Sequence, residues 1–116
     1  MRIKLHFQPG PEMTGTIMRH LSPRTFTRFV NSLPLQGATK REGPMILGLV
    51  NIDAPFDKTK EDFQAGELAY DPRSRALCVF AENGGMLKMV PLGKIDDPSL
   101  LRYVRDGAWL LVGRIQ

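Results

Sequence analysis

At 116 residues the chain is expected to form a single domain spanning residues 1–116, large enough to bury its own core without disulfide or metal staples. Its 16 Lys and Arg against 12 Asp and Glu leave a mild net charge of +4, and no stretch approaches the roughly 18 apolar residues that a membrane helix needs. The one cysteine, Cys78, cannot form an internal bridge; lying in the apolar run 76–81 it reads as a buried, inert thiol in a reducing compartment, and a cytoplasmic protein is expected.

The first segment, Arg2-Ile3-Lys4-Leu5-His6-Phe7, alternates charge and apolar bulk, which predicts a strand and not the unbroken core of a signal peptide. Gln8-Pro9-Gly10-Pro11 turns the chain into a second strand near residues 12–18. Ser22-Pro23 then reads as an N-cap followed by proline at the first helical position. Phe26, Phe29, Val30 and Leu33 follow as one apolar stripe, with Arg24, Thr27, Arg28 and Asn31 toward water, until Pro34 stops the helix.

Residues 37–41 and 45–51 are the next strands, separated by a Glu42-Gly43-Pro44 bend, and residues 52–64 read as a polar surface loop. A β-hairpin follows, its apolar strands joined by Asp71-Pro72-Arg73-Ser74, in which proline presets φ and Asp and Ser can bond their own backbone. Asn83-Gly84-Gly85 suggests a flexible turn. Residues 87–95 form a strand in which Pro91 forbids one ladder bond and so marks an edge or a bulge. Asp97-Pro98 repeats the cap signal for a short helix over 99–105, ended by Gly107, and residues 109–115 make the last strand, with Trp109 expected in the core. Many short strands, two helices and no βαβ alternation predict a mainly β fold, a closed antiparallel barrel that hides its strand edges.

The hairpin resembles a signature of the small bacterial and archaeal cyclophilin-like proteins. Gly66-Glu67-Leu68-Ala69-Tyr70-Asp71-Pro72, followed by Ala76-Leu77-Cys78-Val79-Phe80, is similar to their Gly-Asp-Ile-Ala-Tyr-Trp-Pro and Ala-Leu-Cys-Ile-Phe-Phe segments. Leu33-Pro34 matches the dipeptide that ends their helix, Leu92-Gly93-Lys94-Ile95 matches their Val-Ile-Gly-Lys-Ile strand, and residues 100–107 match the short helix and turn after it. The resemblance spans nearly the whole chain and implies a cyclophilin-like β-barrel with two short helices. Departures are local. Glu42-Gly43-Pro44-Met45 stands where the family carries Trp-Gly-x-Glu, Asp71 replaces the tryptophan after Tyr70, and Ala81-Glu82-Asn83-Gly84 replaces the Phe-Gly-x-Thr-Pro ending, so groove aromatics are lost at two places.

True cyclophilins isomerise prolyl bonds with an arginine set among Phe, Met, Gln, Trp and His; their Phe-His-Arg and Phe-Met-Gln-Gly-Gly-Asp motifs are absent from this chain. Arg41, Arg73 and Arg75 could each supply a cation without that setting. The expected function is therefore a binding module for a small molecule or a peptide segment; enzyme status is left open, leaning against one because the isomerase motifs are absent, and prolyl isomerase or a protein or nucleic-acid interaction module are the alternatives.

The candidate ligand site comprises Arg41, Glu42, Tyr70, Asp71, Arg73 and Phe80: a partly apolar concavity with a few convergent polar groups. Arg41 or Arg73 would pair with an anionic group, Tyr70 and Phe80 would supply apolar contact, and Glu42 would orient a donor; the alternative is that Tyr70 and Phe80 are core and the charges are solvated turns. His6 and His20 lack partners at ligand spacing, so no metal and no cofactor is expected. Arg19, His20, Arg24 and Arg28 form a basic cluster without interleaved aromatics, read as a solvated helix face with no specific nucleic-acid partner.

Overall fold

Alternation of apolar and polar side chains separates the inside of the barrel from its outside. In β1 (Arg2–Gln8) Ile3, Leu5 and Phe7 are fully buried while Arg2 and Lys4 face solvent. The same rule carries through β2 (Glu12–Ile17), where Met13 and Ile17 point inward. The computed structural model describes residues 1–55, 57–85 and 87–115. Its remaining strands are β3 (Leu35–Glu42), β4 (Met45–Gly48), β5 (Glu67–Asp71), β6 (Ala76–Phe80), β7 (Val90–Ile95) and β8 (Trp109–Arg114). All pair antiparallel in the order β1-β2-β7-β5-β6-β4-β3-β8, and β8 closes the ring on β1 with Leu5 opposite Val112. The barrel is mainly β and closed, as the sequence predicts.

Pro91 sits at a register shift. Leu68 faces Gly93 while the adjacent Ala69 faces Pro91, which is how a residue without an N–H is accommodated inside β7. Asp97 caps the 3₁₀ stretch Pro98–Tyr103 by accepting from the Ser99 N–H.

The helix α1 (Pro23–Ser32) lays Phe26, Phe29 and Val30 on the barrel's interior cluster. Its cap differs from the sequence expectation. Ser22 makes no cap bond; its buried hydroxyl donates instead to the Pro91 carbonyl at 2.7 Å. The first turn is satisfied from a distance by Asp57, whose Oδ2 accepts from the Thr25 N–H at 2.7 Å and the Thr25 hydroxyl at 3.1 Å. The stretch 52–64 is therefore more than a surface loop: Ile52 and Phe63 are buried and Asp57 ties it to α1.

Trp109 is a third correction. The β8 register sends Leu110 and Val112 inward, so Trp109 lies on the outer face, 43% exposed, its indole N–H donating to Gln36 Oε1 at 3.1 Å.

Candidate functional site

The β5–β6 hairpin is buried on both faces. Leu68, Tyr70, Leu77 and Val79 join the interior cluster, whereas Ala69, Ala76, Cys78 and Phe80 join a second cluster with Met45, Leu47, Phe63 and Met89. A strand's outer face stays dry only if something covers it. The cover here comes from the stretches that carry Lys60 and Phe63 on one side and Gly84 and Met89 on the other, which pair with each other through their main chains.

Lys60 and Met89 exchange backbone bonds of 2.9 and 3.0 Å, and Phe63 and Gly84 exchange bonds of 2.8 and 2.9 Å. The Phe63 ring stacks on Phe80 with centroids 4.6 Å apart and planes 5° from parallel. Gly85 makes this approach possible. Its φ is +147°, and a Cβ there would stand 1.5 Å from the Glu61 carbonyl oxygen, so a side chain would push the two segments apart.

Between this cover and the β3–β4 turn lies a concavity of about 520 Å³. Glu42, Pro44, Met45 and Phe80 form one side, and Gly84, Gly85, Leu87 and Met89 the other. Its walls are almost wholly apolar, with two thioethers that can adapt their shape to a guest. Among the described lining residues the one charged group, Glu42, is held by Lys40 Nζ at 2.9 Å.

The six residues singled out from the sequence occupy three environments. Glu42 and Phe80 line the concavity, and Arg41 is beside it, its Nη2 4.0 Å from Glu82 Oε1. Tyr70 points the other way, 2% exposed, its hydroxyl donating to the Ile52 carbonyl at 2.9 Å and accepting from the Ala54 N–H at 3.4 Å. Asp71 and Arg73 serve each other at the hairpin turn. The Asp71 carboxylate accepts from the Arg73 N–H and Nε, both at 3.1 Å, and from the Ser74 hydroxyl at 3.0 Å. Pro44, Met45, Gly84, Gly85, Leu87 and Met89 complete the concavity and lie outside the sequence-derived site; the unbroken apolar run 76–81 is the signal that something must cover β6 from outside.

Cys78 lies under the cover. Burial foremost, and the nearby Asp71 carboxylate next, push its thiol well above the usual range, so it is not a thiolate at neutral pH. Among the described residues no group of three or more His, Cys, Asp or Glu is placed to hold a metal ion, and no helix is long and apolar enough to cross a membrane.

The family model described as Cyclophilin-like matches residues 1–106. The chain belongs to the cyclophilin-like family. No curated protein matches it. Among solved structures, this cyclophilin-like chain is similar to the hypothetical protein AF2241 from Archaeoglobus fulgidus, with a TM-score of 0.81 and 21% identity over 99% of this chain and 95% of that one. It is also similar to McbB in complex with tryptophan, with a TM-score of 0.78 and 16% identity over 97% of this chain and 44% of that one. At such identities the likeness is one of fold, so function is argued from the site of this cyclophilin-like barrel itself.

Proposed function

We propose that the protein is a binding module whose ligand, an apolar small molecule or an apolar peptide segment, seats between Met45, Phe80, Leu87 and Met89. The observation that carries this reading is the concavity of about 520 Å³, walled by apolar side chains yet open to solvent beside a rigid aromatic stack. Phe80 is its floor, and Glu42 orients a donor group at the rim. Arg41, whose ion pair among the described residues is a 4.0 Å contact to Glu82, turns onto an anionic substituent of the ligand. Tyr70, Asp71 and Arg73 act from behind, by fixing the hairpin that carries Phe80 and the segment that carries Phe63. The unpaired buried thiol supports a cytoplasmic protein.

The test uses native mass spectrometry of freshly purified protein together with titration of anilinonaphthalene sulfonate, an apolar probe carrying one anionic group. A co-purifying mass or a saturable rise in probe fluorescence is expected, and Leu87→Glu, at a position 40% exposed on the rim, should weaken the probe several-fold without lowering the melting temperature. Absence of both signals in the native protein, or identical binding by the variant, defeats the reading. On a proline test peptide the protein should leave the relaxation rate unchanged, because the groups that would favour a twisted amide are missing around Arg41. Acceleration abolished by Arg41→Ala would make it an enzyme instead.

A further inference from the structure

A second concavity, of about 450 Å³, lies against the outer face of α1 and is independent of the apolar one. It is lined by Arg19, Arg24, Arg28, Thr27 and Asn31, with Pro23 and Pro55 at its edges. The spacing of 24, 27, 28 and 31 places these four side chains on one helix face, and Arg19 joins them from the 3₁₀ turn Arg19–Leu21. Arg2, Arg41 and Arg73 each have a carboxylate within 4.0 Å; among the described residues Arg19, Arg24 and Arg28 have none. Asp57 accepts from the Thr25 N–H and hydroxyl and forms no ion pair with these arginines. Arg19 is also held in place, its guanidinium 4.8 Å from the centre of the Phe26 ring. Three like charges thus line one face, and among the described residues none of them is ion-paired, although the Asp57 carboxylate on Thr25 offsets part of their field. That arrangement favours a compact guest carrying two or more negative charges, because a planar guanidinium fork matches the geometry of phosphoryl oxygens.

We propose that this arginine cradle binds the phosphoryl group of a small phosphorylated molecule. Arg24 and Arg28 straddle the anion from adjacent turns, Arg19 closes the third side, and the Asn31 amide supplies a neutral donor. A nucleic-acid strand fits the geometry less well. The arginines line one concavity instead of running along a track, and Phe26, the aromatic beside them, is buried with Arg19 over its face, so it offers no surface for base stacking.

The experiment is an amide-resolved NMR titration of the whole protein with sodium pyrophosphate and, separately, orthophosphate, at constant ionic strength set with chloride. Saturable shifts centred on Thr27, Arg28 and Asn31 are expected with a dissociation constant of about 0.1–1 mM, the range open to a few charge-assisted contacts at an exposed site. Saturation by orthophosphate assigns the site to a single phosphoryl group, and saturation by pyrophosphate alone assigns it to a bridged pair; both support the proposal. The double variant Arg24→Gln, Arg28→Gln should weaken binding about tenfold or more, with an unchanged melting curve. Arg105→Gln, which removes one exposed positive charge outside the residues lining this concavity, should leave it as it was. Shifts that never saturate, an equal loss in Arg105→Gln, or a single-stranded oligonucleotide that displaces pyrophosphate at a lower phosphate concentration would each overturn the proposal, the last in favour of a nucleic-acid surface.

Discussion

Replacing Phe29 by alanine tests whether α1 is part of the core. The side chain is fully buried in the interior cluster. Its ring accounts for most of the roughly 150–250 Å² that an aromatic residue buries, worth about 3 kcal/mol at about 25 cal/mol per Å². A cavity term adds about 1–2 kcal/mol when the surroundings cannot collapse. Here they are pinned. Thr25 is bonded to Asp57 and to the Pro55 carbonyl, Ser22 to the Pro91 carbonyl, and Arg114 Nη2 donates to the Val30 carbonyl at 2.9 Å, so the helix is held along its length. The expected loss is about 3–5 kcal/mol, a large share of the roughly 5–15 kcal/mol that stabilises a small domain. The melting temperature should fall by about 4 °C for each kcal/mol, hence by about 12–20 °C. Urea denaturation followed by circular dichroism measures the loss directly. A loss under about 1 kcal/mol would mean that the helix face does not pack as described, and would refute the reasoning from burial.

Other perturbations address single interactions. Asp57→Ala should cost about 1–2 kcal/mol although it lies far from α1 in the chain, because it removes the acceptor of the first-turn N–H; an unchanged urea midpoint would show the cap to be ineffective. Arg2, foremost, and Thr14 hold the Asp96 carboxyl below its ordinary value of 3.8, so its contribution is complete above that pH and is lost as pH falls below it. Asp96→Asn should therefore narrow the difference between melting temperatures at about pH 6 and about pH 3; the pair is exposed, so the narrowing is small, and an unaltered difference would contradict it. Cys78 should resist Ellman's reagent in the native protein at neutral pH and react fully in denaturant; rapid native labelling would mean that the cover over β6 opens readily.

What could be read from the sequence was whatever depends on neighbours along the chain. Period-two alternation in residues 2–7, the Asp71-Pro72 turn, Pro91 at a register shift and the Asp97 cap are all local, and each appears where the residues place it. The outer layer is not local. Nothing within 52–64 says that Phe63 will stack on Phe80 or that Asp57 will cap a helix thirty-odd residues upstream, since both depend on pairing with 81–89 and α1. The same holds for Trp109, whose side is set by one residue of register against β1 and β3. Within the candidate site, Phe80 and Glu42 were legible because the hairpin and the β3–β4 bend carry turn signals. Leu87 and Met89 were not, because a strand pattern conceals which face a covering segment will take.

The ring closure described for β8 has a consequence in time. Both neighbours of β8, the strands β1 and β3, are made first, and the segment that joins them is the last of the eight to leave the ribosome. Until residues 109–114 emerge, two strands present unpaired N–H and C=O groups that any other nascent chain could accept. The Ile115 N–H donates to the Arg2 carbonyl, a bond between residues far apart in sequence, and closing such non-local contacts is slow. A chain lacking β8 would leave the facing edges of β1 and β3 unpaired, so the ring's protection against edge pairing depends on that one strand.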